Sequence, residues 1–206
     1  MSLIKTSPTG DEEGVSGADF LGWREGNSVF EQLAAYTVRW YSLTGGGEPE
    51  RLMCGRVSAD FFPLLGTPPA LGRTFLPEED RPDKNGERAG QVVVLSYTLW
   101  QRRFGSDPAL IGKKLTIDGD GLTVVGIMPS NFQFPEGCEL WMPLGFDDET
   151  LRLKDESAGL KVIARLKHGV TLPQVQAEMG AIARRLEQQH SGTNTGGKVM
   201  IIRLHK

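Results

Sequence analysis

The chain has 206 residues, a formal net charge of -3, 39% apolar residues and 24% charged residues. That length holds one large domain or two small ones, each with a real core, and the slight acidity with no basic block excludes the electrostatic footprint of a nucleic-acid binder. No window approaches the about 18 consecutive apolar residues of a membrane-spanning helix.

The many glycines and prolines, 26 and 12, suit a chain of turns and short strands rather than a helical bundle. Met1-Ser2-Leu3-Ile4-Lys5 lacks the apolar segment of about 7–15 residues that a signal peptide needs. The N-terminus shows no element of its own and the C-terminus stops inside a strand. We therefore expect a segment cut from a longer protein, with Met1-Ser2-Leu3 derived from a vector. Ser16-Gly17-Ala18-Asp19 reads as a helix start with Ser16 as N-cap, and Phe20 and Trp23 then share one face. A break falls near Gly26-Asn27, and a short turn runs through Val29, Phe30 and Leu33. Ala34 to Leu43 reads as a strand, Gly45-Gly46-Gly47 as a hairpin turn and Glu50 to Val57 as the returning strand.

Ser58 to Gly66 reads as a capped short helix, Pro68 to Phe75 as extended chain, and Pro77 to Gly90 as an exposed mobile loop. Gln91 to Leu95 is a continuous apolar run that predicts a buried strand. Ser96 to Gly105 predicts a short helix capped by serine and stopped by glycine. After a turn at Asp107 to Gly112, Lys113 to Ile117, Asp118 to Gly121 and Leu122 to Met128 predict strand, tight turn and strand, and Glu139 to Leu144 closes the block. Phe146 to Gly159 is acidic and loop-like. Lys161 to Lys167 alternates as a strand. Thr171-Leu172-Pro173-Gln174 is a capping box, and Leu172, Val175, Met179, Ile182 and Leu186 form one helical stripe, with Arg184, Arg185 and His190 toward its C-terminal end. Gly192 ends the helix and Lys198 to Leu204 is the last strand. A right-handed crossover predicts that the two strands are parallel neighbours. No internal repeat is visible.

The chemistry-bearing patterns are weak. Gly192 to Lys198 spells G-x-x-x-x-G-K, but Val199 stands where a phosphate loop needs a hydroxyl, and the order is helix, loop, strand rather than strand, loop, helix. Asp118-Gly119-Asp120-Gly121 lacks the later acidic ligand of a calcium loop and reads as a hairpin turn. His168, His190 and His205 are isolated, and Ser16 and Ser96 read as caps, with no G-x-S-x-G elbow. Glu78-Glu79-Asp80 and Asp147-Asp148-Glu149 read as solvated loop residues. Cys54 and Cys138 have no partner at metal spacing; two buried free thiols and a single disulfide both fit. Trp23, Trp100 and Trp141 read as core, whereas Tyr36, Trp40 and Tyr41 beside the glycine turn fit either core or part of a binding surface. No catalytic, cofactor-binding or metal residue is assigned.

Taken together, Val15-Ser16-Gly17-Ala18-Asp19-Phe20 with Trp23, Gly55 to Phe62, Leu64-Leu65-Gly66, Ala70 to Phe75, Val92 to Ser96, Gly112 to Ile117 and Val124 to Met128 form an ordered set. It resembles the extracytoplasmic core domain of MacB-like ABC transporter permeases (the MacB/FtsX-type family). Asp19 to Trp23 and Ser96 to Trp100 look most like the large-permease branch without a fused ATPase.

The resemblance implies an α+β fold inserted between two transmembrane helices. It implies a porter-like lobe of βαβ units, residues 1–57 and 159–206, and an inserted mixed α/β, sabre-like lobe, residues 58–158. The strand expected before the Ser16 helix is short or absent here. The implied role is mechanical and not enzymatic, on the periplasmic side of a bacterial inner membrane. A cytoplasmic ABC ATPase subunit would drive the parent permease, a second permease copy would pair with it, and a periplasmic adaptor would receive the substrate, with no cofactor and no nucleic acid. A stand-alone extracytoplasmic ligand-binding protein is the alternative and needs a defined cleft. A hydrolase needs polar groups converging in a pocket.

Overall fold

A computed structural model describes residues 2–6, 12–45, 47–80, 90–145, 159–189 and 198–202. In chain order its elements are β1 Ser2–Thr6, β2 Glu12–Glu13, α1 Gly17–Gly26, β3 Phe30–Thr44, β4 Glu50–Val57, α2 Phe61–Leu65, β5 Leu71–Gly72, β6 Val92–Leu95 and α3 Tyr97–Phe104. They continue with β7 Lys114–Ile117, β8 Asp120–Ile127, β9 Leu140–Pro143, β10 Lys161–Leu166, α4 Leu172–Gln189 and β11 Lys198–Ile202. Helices and strands of both kinds make the fold α+β, with a mixed sheet. The chain divides into two compact units, Met1–Ala35 with Asp148–Lys206, and Tyr36–Asp147.

In the first unit the strand order is β11, β1, β10 and the first residues of β3. β1 is antiparallel to both of its neighbours, pairing Leu3 with Ile201 on one side and with Val162 on the other. Two expectations change here. The N-terminus does carry an element of its own, with Leu3 only 1% exposed. And β10 and β11, though parallel to each other, are not neighbours: the N-terminal strand fills the slot between them, so the α4 crossover passes over one strand. The handedness rule fixes how a crossover turns, not how many strands it skips.

The helices of this unit follow their sequence signals. Ser16 Oγ accepts the Asp19 N–H at 3.1 Å, and α1 buries Phe20 and Trp23. At Gly22 a Cβ would stand 2.6 Å from a Leu186 methyl of α4, so the absence of a side chain sets how closely the two helices pack. Along α4, Val175, Met179, Ile182 and Leu186 are buried and Leu172 is partly so. Only the return half of the predicted capping box is seen: Gln174 Oε1 accepts both the Thr171 N–H and its hydroxyl, each at 2.8 Å. His190 and Gly192 lie outside the described residues.

In the second unit the order is the later part of β3, then β4, β9, β6, β8 and β5, with β7 pairing β3 and β8. β3 and β4 form the predicted antiparallel hairpin, from Tyr36 opposite Val57 to Leu43 opposite Glu50. β3 begins at Phe30 rather than Ala34, because Phe30 to Leu33 extend the strand instead of turning. The 36–57 hairpin groups with this unit and not with the flanking segments, since Cys54–Val57 of β4 pair in parallel with Leu140–Pro143 of β9. The block from β6 to β9 matches its sequence signals. Ser96 Oγ accepts the Leu99 N–H at 3.0 Å, Gly105 ends α3 in the left-handed region at φ 60°, and Asp107 caps the short 3₁₀ turn that follows. α2 departs in one respect: Asp60 sits at its N-cap without a side-chain cap bond, while Gly66 closes its end at φ 68°. Of the loop expected from Pro77 to Gly90, Pro77–Asp80 is a 3₁₀ turn and residues 81–89 lie outside the described set.

The two faces of β4 organise the core of this unit. One meets Leu43, Val93, Leu95, Leu99, Leu115, Ile117 and Leu140. On the other, Gly55 lies under Trp141, where a Cβ would stand 2.7 Å from the indole Cδ1. Gly55→Ala is expected to destabilise the protein by about 1–3 kcal/mol through overpacking, read as a lower urea midpoint with an unchanged m-value.

Candidate functional site

The Asp118-Gly119 turn is a two-residue hairpin loop with both φ angles positive, 48° and 89°, as a type I′ turn requires. Its carboxylate is already engaged. Asp118 Oδ1 accepts the Ser42 N–H at 2.7 Å, and the Asp118 N–H donates to Ser42 O at 2.9 Å. Among the described residues no group of three or more His, Cys, Asp or Glu is placed to hold a metal ion. Lys198 begins β11, and the rest of the G-x-x-x-x-G-K stretch, with Asp147-Asp148-Glu149, His190 and His205, lies outside the described residues. His168 is exposed beyond β10.

The carboxylates at 78–80 are not all solvated, as the sequence suggested. Glu79 grips Arg73 through both oxygens at 2.7 and 2.8 Å and accepts the Leu76 N–H at 2.9 Å. Asp80 is partly buried and joins distant segments. Its Oδ2 accepts the Ala59 N–H and its Oδ1 the Gly145 N–H, both at 2.9 Å. Burial pushes its carboxyl above the usual range, against the pull of those N–H groups. A sequence of three acidic residues gives no hint of this, because the partners lie 21 and 65 positions away.

Cys54 and Cys138 are free and buried. Burial raises both thiols, Cys138 to about 11, so at neutral pH they are protonated and poor nucleophiles.

The aromatic residues divide. Tyr36, Phe61, Phe62, Phe132, Phe134 and Trp141 interlock with ring centroids 5.3–6.0 Å apart, mostly edge to face, the arrangement their quadrupoles favour. Trp141 Nε1 donates to Phe134 O at 3.2 Å. Tyr41 packs against the opposite core. Of the three aromatics considered as a surface, only Trp40 faces solvent, 54% exposed, with the Arg51 guanidinium 5.8 Å from its ring centroid.

A second feature is invisible in sequence spacing. Arg102 of α3 binds Glu50 through Nη1 and Glu139 through Nη2, the latter at 3.0 Å. Arg103 binds the other Glu50 oxygen at 3.1 Å and donates to the Gly45 and Glu48 carbonyls at 3.1 and 2.9 Å. Its side chain is only 10% exposed, and among the described residues its Nε has no hydrogen-bond partner. The four charges tie α3 to the β3–β4 turn and to the chain entering β9. The Arg102 hydrogen bond is the main cause holding the Glu50 carboxyl below its ordinary range. The clue in the sequence was the adjacent pair Arg102-Arg103 at a helix end, but its partners are supplied only by folding.

These polar groups close turns and brace strands. Among the described residues they do not set a nucleophile beside a base. Asp80→Asn leaves one acceptor for two N–H donors, so it is expected to cost about 1–3 kcal/mol. The linkage sign is fixed by the raised carboxyl. The native state binds the proton more readily than the unfolded chain, so the native protein gains stability relative to the variant as pH falls through the raised value toward 3.8. Urea midpoints of the two proteins, compared from neutral pH down to about pH 4, should diverge on acidification; convergence would contradict the assignment.

No curated protein matches the chain. Its fold is shared by several solved structures, two of them domains of ABC-type transporters. The extracellular domain of the noncanonic ABC-type transporter YknZ from Gram-positive bacteria superposes with a TM-score of 0.67 at 16% identity, over 98% of this chain and 99% of that one. The periplasmic region of MacB from Actinobacillus actinomycetemcomitans superposes with a TM-score of 0.66 at 14% identity, over 97% of this chain and 86% of that one. The sequence itself matches the MacB-like periplasmic core domain over residues 3–182, and the chain therefore belongs to the MacB-like periplasmic core domain family of ABC-type transporter permeases.

Proposed function

We propose that this chain is the extracytoplasmic part of a bacterial inner-membrane export permease, and that it transmits motion instead of catalysing a reaction. The observation that carries the reading is the family match over residues 3–182. In this reading Met1–Ala35 with Asp148–Lys206 is the porter-like lobe and Tyr36–Asp147 the sabre-like lobe. ATP hydrolysis on a cytoplasmic ABC ATPase moves the parent permease. The domains of two permease copies then tilt against each other, and substrate passes outward through a periplasmic adaptor.

The bracing within Tyr36–Asp147 supports such a role. A lever must move without deforming, and interlocked aromatics with a charge network across three segments resist local opening.

The test uses the parent permease reconstituted with its ATPase, carrying Gln101→Cys on the exposed side of α3 and spin-labelled there. The buried Cys54 and Cys138 are poor competitors for the label. Pulsed electron–electron distances between the two copies should change when ATP is trapped. A distribution identical with and without nucleotide would overturn the mechanical reading.

A further inference from the structure

In the second unit, the outer edge of β3 is closed at one end and open beside it. Asp118 exchanges two hydrogen bonds with Ser42, and β7 pairs with Leu43 and Thr44. Backbone groups of successive strand residues point to opposite edges, so Val38 and Trp40 face the same edge as Ser42. The far side of β4 agrees. There the Met53 and Val57 carbonyls accept from Glu139 and Leu144, which leaves Leu52, Cys54 and Arg56 to bond Tyr41, Arg39 and Thr37. The N–H and C=O groups of Val38 and Trp40 thus point outward, and among the described residues no strand pairs with them. The pairing from Tyr36 to Leu43 runs without a bulge and contains no proline, two of the devices that usually blunt an edge. Val38 and Trp40 are 36% and 54% exposed on one face, with Arg51 across Trp40. Arg39 is exposed on the other face.

We propose that this edge receives an extended segment of a partner protein, with apolar residues opposite Val38 and Trp40 and a carboxylate opposite Arg39. Charge decides the occupant. In an added antiparallel strand the residue facing Arg39 falls in a non-hydrogen-bonded pair, where side chains approach most closely. Among the described residues no carboxylate forms an ion pair with Arg39. A second copy of this chain is the wrong occupant. Pairing Val38 with Trp40 across a two-fold axis sets Arg39 directly against Arg39, and like charges directly opposite destabilise a ladder. Main-chain hydrogen bonds supply the attachment and the alternating side chains select the partner.

The experiment titrates the isotopically labelled 206-residue chain with a capped five-residue peptide alternating valine and glutamate, valine at both ends. Saturable amide shifts should centre on Val38 to Trp40, with a change in Trp40 fluorescence. The same peptide with lysine for glutamate should bind at least about tenfold more weakly, a factor of the size expected for reversing a close charge pair. Val38→Pro removes one outward N–H and leaves the bonds to β4, so it should weaken binding by a similar factor. If that variant is misfolded, Arg39→Glu should reverse the preference toward the lysine peptide. Absence of shifts at this edge, equal binding of the two peptides, or dimerisation of the free chain through β3 would each overturn the proposal.

Discussion

The contact between Gly55 and Trp141 sets the geometry of the Tyr36–Asp147 unit. β9 can lie beside β4, with Trp141 turned onto the β4 surface, only where residue 55 has no side chain. The indole then holds Phe62 and Phe132 at 6.0 and 5.3 Å and fixes the Phe134 carbonyl through its N–H. Phe134 and Phe61 in turn place Tyr36, where β3 enters the unit. Removing the clearance at one backbone position would displace a chain of rings, because close-packed interiors pass strain on rather than absorbing it.

The polar groups follow the same logic. Asp118 ties the β7–β8 turn to β3, Asp80 joins the start of α2 to the end of β9, and Glu50 collects two arginines from α3. In the other unit, Glu178 of α4 accepts both the backbone N–H and the hydroxyl of Ser28 ahead of β3. Exposed ion pairs contribute little singly. Here several of the carboxylates also accept backbone N–H groups, which fixes loop geometry that side-chain pairing alone does not. These contacts hold the loops and strand ends of each unit in place from several directions at once.

Local signals were legible wherever a short-range rule decides the conformation. The Ser16 and Ser96 caps, the Asp118-Gly119 turn, the Gly105 stop and the apolar stripe of α4 all rest on contacts within a turn or two of chain. The motif order was also enough to recognise the family. Features that depend on partners far along the chain were missed: β1, and the partly buried role of Asp80.

The sequence by itself determined most of the helices, hairpins and tight turns, because caps, glycines and hydrophobic periodicity act over a few residues; it left out β1 and took Phe30 to Leu33 for a turn. Only the tertiary structure decided that β1 separates β10 from β11, that Arg102 and Arg103 meet Glu50, and that Trp40 remains outside while Tyr36 is buried. Each of those outcomes depends on which distant backbone comes alongside, and neither the composition nor the local pattern of a strand encodes its neighbour.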